Sequence, residues 1–276
     1  AGPLNPGEVI GGKIGAEVAE DLDARILFEI VNANQTFDNG DLTTLASTGT
    51  PFLLTSTTVP QMATRMPAKL RRGQNQILSN MCFVIDAYAA SDLAQYLLGK
   101  QFDIVNSIFR NGDAGDQFAQ AQVYVSENLT GEVTLTVTGT TSFFSGEVFT
   151  LNGATFTLTS STPAAVGEIS IAATTTNTLS NIKTALETPA TSVTGTYYAL
   201  TGASLAIAQK LRIAATKSSA TVLKIQCKGG GRLTVSENFS YGSFNSPFIH
   251  AFYGKKGAID VVVQDFKPVD MRPTAD

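Results

Sequence analysis

Apolar and β-branched residues alternate with polar ones through much of residues 130–237, a period of two that predicts strands. Gly131-Glu132-Val133-Thr134-Leu135-Thr136-Val137 is one such run. Gly146-Glu147-Val148-Phe149-Thr150-Leu151-Asn152-Gly153-Ala154-Thr155-Phe156-Thr157-Leu158 holds two more on either side of Asn152-Gly153, the pair that closes a tight β-hairpin. Further strands are predicted at 77–88, 121–126, 168–172, 192–200, 210–214, 221–227, 232–235, 247–253 and 258–266. Residues 52–59 also read as a strand, and the flanking Pro51 and Pro60 suit an edge.

Helical spacing is rarer. Ser91 is a natural N-cap with Asp92 in the first turn, and Leu93, Tyr96 and Leu97 share a face. Phe102, Val105, Ile108 and Phe109 continue that face beyond Gly99. A short helix capped by Asn177 places Leu179, Ile182 and Leu186 on one side. Two readings compete, a strand at 24–31 and a helix at 16–30. Ile26, Phe28 and Ile30 alternate as in a strand, while Val18, Leu22, Arg25, Ile26 and Glu29 fit a helix. No pattern survives from 61 to 75, which predicts an extended loop. Asp38-Asn39-Gly40-Asp41 and Asn111-Gly112-Asp113-Ala114-Gly115-Asp116 are predicted turns. The fold class expected is therefore mainly β with two or three helices.

Order along the chain suggests two parts. Residues 1–129 together with 240–276 would form an assembly domain, with 130–239 inserted as a β-rich module. The insert resembles a small module of bacteriophage virion proteins. The likeness rests on the strand at 132–137, the Gly-x-x-apolar-Thr-apolar-Asn-Gly hairpin from Gly146, Val166-Gly167-Glu168-Ile169-Ser170-Ile171 and the helix at 178–187. It continues through Lys210-Leu211-Arg212-Ile213-Ala214-Ala215-Thr216-Lys217 to Leu233-Thr234-Val235-Ser236-Glu237. Two features depart from that module: 197–207 is longer, and Gly229-Gly230-Gly231 adds a loose turn. The resemblance implies a particle component, with identical subunits and other virion proteins as partners. It carries no catalytic residues. The length left for the assembly domain suits a β-sandwich or jelly-roll better than an HK97-like shell fold. A tail tube, adaptor or baseplate protein is the alternative role, and a host-recognition or carbohydrate-binding module a second one, with Tyr197, Tyr198, Tyr241 and Tyr253 as stacking platforms.

Composition favours the same picture. Only 15% of the 276 residues are charged, against roughly 25% in ordinary domains. Thr, Ser, Asn, Gln and Gly make up the difference, a surface that hydrogen-bonds without strong self-repulsion. The net charge of −4 works against global attraction to nucleic acid or to anionic membranes. Its distribution is uneven. Glu8, Glu17, Glu20, Asp21, Asp23 and Glu29 crowd the first thirty residues, while Arg65, Lys69, Arg71 and Arg72 form a run without an acid. That run is the candidate contact with packaged nucleic acid or with the acidic segment of a neighbouring subunit.

Candidate chemistry is sparse. His250, the single histidine, would have to serve any Ser-His-Asp arrangement, and a structural role suits it better between Phe248 and Phe252. One His and two Cys lack the spacing of a zinc site. Cys82 and Cys227 sit in apolar runs and are expected as buried free thiols. The two Asp-Asn-Gly turns carry oxygen donors for calcium, without the twelve-residue loop spacing. Gly229-Gly230-Gly231 lacks the Lys-Ser/Thr of a P-loop. No cofactor, no metal and no catalytic activity are expected. Nor is a membrane partner: no apolar run approaches the ~20 residues that span a bilayer.

Overall fold

A computed structural model describes residues 6–33, 35–74, 80–97, 117–138 and 143–256. The expected second helix at 102–109, the turn at 111–116 and the strand at 258–266 lie outside the described residues.

Strands outnumber helices among the described residues. Three sheets form. The first has the order β13(Phe252–Lys255), β1(Met81–Ile85), β3(Ala121–Val125), β2(Gln117–Phe118). In it β1 runs parallel to β3, Met81 opposite Ala121, and antiparallel to β13, Val84 opposite Phe252. Helices α2(Thr58–Gln74) and α3(Ala87–Leu97) complete this part. Val59, Met62, Met66, Phe83, Ile85 and Leu93 belong to its core.

The second core is built entirely from residues 133–244. One of its sheets joins β10(Val235–Glu237), β5(Val148–Leu151), β6(Ala154–Thr159) and β7(Glu168–Ser170). The other joins β11(Gly242–Phe244), β4(Gly131–Val137), β9(Val222–Cys227) and β8(Ile213–Lys217), with β12(Phe248–Ile249) also on β4. Helices α4(Thr175–Glu187) and α5(Gly202–Leu211) contribute Leu179, Ile182, Ala208 and Leu211 to the same interior. The expected hairpin is present. Asn152 and Gly153 take φ of 50° and 90°, and Phe149 stacks on its cross-strand partner Phe156 with ring centroids 5.0 Å apart.

Several expectations are corrected. Residues 52–59 are no strand: Thr55 and Thr58 exchange backbone-to-hydroxyl hydrogen bonds of 2.8 and 3.1 Å, and α2 starts there. The expected loop at 61–75 is that helix. Val59, Met62 and Met66 are buried and Leu70 packs beside them, a stripe at helical spacing. Pro60 lies in the first turn, where its missing N–H costs nothing. The competing readings at 16–30 resolve as helix, α1(Pro6–Phe28) followed by a 3-10 turn at Glu29–Asn32. α3 is capped by Asp86, whose Oδ1 accepts from Ala89 N at 3.1 Å, and Ser91 lies inside the helix. Thr174, not Asn177, caps α4.

Residues 192–200 form no strand because Tyr197 turns inward. Its hydroxyl donates to Pro189 O and accepts from Leu200 N, both at 3.0 Å. α5 was not expected at all. Gly229-Gly230-Gly231 is tight rather than loose. A Cβ on Gly230 would stand 2.7 Å from Asn128 Cα, and one on Gly131 would strike Gly231 O. Here residues 128–131 cross the chain that returns from β9, with Gly231 N donating to Leu129 O at 2.8 Å.

Candidate functional site

A cavity of about 510 Å³ opens between the two cores. Phe37, Phe52, Met66 and Phe83 line it from one side, Phe248 and Phe252 from another. Charged groups reach it from both bodies, in pairs that partly cancel.

One of these is Glu132, whose side chain is 4% exposed. β4 places it opposite Gln226 on β9 and Phe248 on β12. Its Oε2 accepts from Gln226 Nε2 at 2.7 Å, and Lys224 Nζ and His250 Nε2 stand 3.1 and 2.8 Å from it. Burial alone raises the carboxyl pKa. The three donors outweigh it and hold Glu132 below the ordinary carboxylate value. His250 is thus engaged with an acid and edge-on to Phe248, centroids 5.3 Å apart. Among the described residues no hydroxyl or thiol hydrogen-bonds its ring.

Arg232 crosses the junction. Its Nε donates to Asp86 Oδ2 at 2.6 Å, and its guanidinium lies 4.8 Å from the Tyr88 ring centroid. Asp86, 1% exposed, therefore caps α3 with one oxygen and anchors the other body with the second.

Of the basic run predicted from sequence, Arg65, Lys69 and Arg72 fall three and four residues apart on α2 and share one stripe. Arg71 turns aside to Gln120 Oε1 at 3.3 Å. Lys69 is bound inward, to Asp41 Oδ2 at 2.5 Å and to Thr36 O. Arg65 and Arg72 have no ion-pair partner among the described residues.

The Asp38 turn is structural. Its carboxylate accepts from Gly40 N at 2.9 Å, Gly49 N at 2.6 Å, Thr48 N and Ser47 Oγ. Burial opposes these bonds, which still hold its pKa below normal. Oxygens saturated by N–H and O–H donors are poor calcium ligands. Among the described residues no group of three or more His, Cys, Asp or Glu is placed to hold a metal ion. Cys82 and Cys227 are buried free thiols. Burial pushes Cys227 up to about 11 and raises Cys82 as well, which keeps both protonated.

Tyr197 is 1% exposed and Tyr253 donates its hydroxyl to Ala119 O at 2.6 Å, so neither presents an open ring to a sugar. Tyr198 and Tyr241 remain exposed. Among the described residues no helix is long and apolar enough to cross a membrane.

Sequence reasoning missed the junction. Arg232 meets Asp86 across 146 positions and His250 meets Glu132 across 118. An acid such as Glu132 within an alternating strand was the one visible signal. No protein-family model, no curated protein and no solved structure matches this chain.

Proposed function

We propose that this chain is a self-assembling structural protein of a bacteriophage virion, a capsid (coat) protein, and that it performs no catalysis. The observation that carries self-assembly is α1. The helix runs for 23 residues, yet Ala24 and Leu27 are the first side chains along its described part to be buried. From Lys13 to Glu20 each described side chain is exposed, and Val18 and Leu22 stand 62% and 44% exposed. Helices in proteins owe most of their stability to packing of one face. A helix whose described side chains from Lys13 to Glu20 are all exposed is explained by a second molecule.

The phage assignment rests on the resemblance of residues 130–237 and on the weakly charged surface. In that region two sheets share one core, whereas the sandwich or jelly-roll was expected of the assembly domain. The other body shows a single mixed sheet with α2 and α3 among the described residues. Repetition under closed symmetry would multiply weak contacts of this kind into a stable shell.

The test is sedimentation over a range of concentrations, followed by electron microscopy. Large closed particles are expected, and deletion of residues 1–20 should leave folded subunits that no longer form them. Rings or rods would assign the chain to the tail tube, adaptor or baseplate instead. A species that stays monomeric at millimolar concentration would remove both roles.

A further inference from the structure

We propose that α1 of one copy docks on α2 of a second copy, acidic side chains meeting the basic stripe of Arg65, Lys69 and Arg72. The inference rests on the self-assembly reading above and names its interface.

The charges on α1 divide along its length. Asp21 is used within the chain, by Arg25 Nε at 2.8 Å and by Arg212, and Asp23 accepts from Asn128 Nδ2 at 2.9 Å. These contacts, with Leu27 and Ile30 against Leu129, fasten the end of the helix to its own molecule. Glu17 and Glu20, one turn earlier, have no ion-pair or hydrogen-bond partner among the described residues. They lie one turn apart on one face of the helix, while the exposed Val18 and Leu22 share a different face. The free half of the helix thus offers two carboxylates on one face.

α2 offers the converse. Arg65 and Arg72 project from the stripe without acids of their own, while Lys69 is held by Asp41 and adds less net charge. Leu53, 81% exposed, lies with Lys69 and Met66 at the cavity between the cores. Two unneutralised guanidinium groups on one helix face match two unneutralised carboxylates on the other helix. Within one molecule no hydrogen bond or ion pair joins α1 to α2 among the described residues. The complement therefore comes from a neighbour, and the contact is heterologous, able to propagate from copy to copy.

Charge reversal tests this. E17K/E20K alters α1 and R65E/R72E alters α2, and both keep good helix formers at every position. Unchanged circular dichroism and thermal transitions establish that each variant folds. Each alone should raise the concentration needed for assembly by about tenfold or more at low salt, which corresponds to roughly 1.4 kcal/mol. An equimolar mixture of the two should recover assembly, since the reversed faces attract. Assembly of either variant at the wild-type concentration, or a mixture no better than its components, overturns the proposed interface while leaving self-assembly standing. A wild-type chain that never associates overturns both. Loss of binding to a short DNA duplex by R65E/R72E, with assembly unchanged, would assign the stripe to nucleic acid and also overturn the interface.

Discussion

Glu132 places a buried anion where two sheet strands and the cavity meet, and three donors converge on one of its oxygens. Its folded pKa lies below its unfolded one. The sign follows directly: protonation is disfavoured in the native state, so the carboxylate contributes stability above its unfolded pKa, about 4.3. That contribution disappears as pH falls through the lower folded value. Glu132→Gln keeps the shape and removes the charge, leaving Lys224 and His250 facing a neutral amide. We expect it to cost about 2 kcal/mol at pH 7. The gap to the wild type should begin to shrink as pH falls below about 4.3, where the unfolded carboxyl takes up a proton, and close only below the lower folded value. Urea denaturation at both pH values reads this. A gap that persists undiminished in acid would mean that shape, not charge, makes the site. Gly230 shows a different residue-scale constraint, since its φ of +79° and its approach to Asn128 leave no room for a side chain. Sequence alone gave this glycine triplet a loose role, because close approach of two distant backbones leaves no local trace.

Elements differed in how plainly their causes were written locally. The hairpin at Asn152-Gly153 was legible because the turn needs two positive φ angles and those two residues supply them. α2 was not. Two prolines and four basic residues obscured a stripe of Val59, Met62 and Met66 that only burial makes obvious. Residues 192–200 carry strand-forming side chains, yet one tyrosine hydroxyl bridging Pro189 and Leu200 outweighs that propensity. Edge protection is likewise a tertiary matter. β8 borders its sheet, and at Ala215 its backbone is closed by α4: Glu187 Oε1 accepts from Ala215 N at 2.9 Å, and Lys183 donates to Ala215 O. The two side chains also pair with each other at 3.0 Å. Lys183→Ala with Glu187→Ala should uncover that edge, a template for pairing with another chain. We expect a loss of about 1 kcal/mol and a rise in thioflavin-binding aggregates on warming. Aggregation at the wild-type rate would show that helix α4 shields the edge by bulk alone.

At the scale of the whole molecule, the division of cores decides what can stand alone. The larger interior draws its buried residues from Val133 to Leu233, with Phe239 and Phe244 packed on it, and takes none from the other described residues. What joins the bodies is a few ion pairs and one small apolar cluster: Arg232 with Asp86, Arg212 with Asp21, and Leu129 against Leu27 and Ile30. Contacts of this kind couple domains more than they create them. Residues 130–246 should therefore fold when expressed alone, with dispersed amide resonances and one cooperative thermal transition. The fragment loses His250, so one donor to Glu132 goes, while Gln226 and Lys224 stay. Its stability should fall below that of the same region in the full chain by the worth of that bond and of the Arg232 pair, about 2–4 kcal/mol together. The cleavage of one chain into an autonomous β unit and a helix-bearing body that reaches for neighbours is what the insertion reading requires. A fragment without a cooperative transition would instead make the two cores a single folding unit, and the cavity between them a flaw in one interior rather than a gap between two.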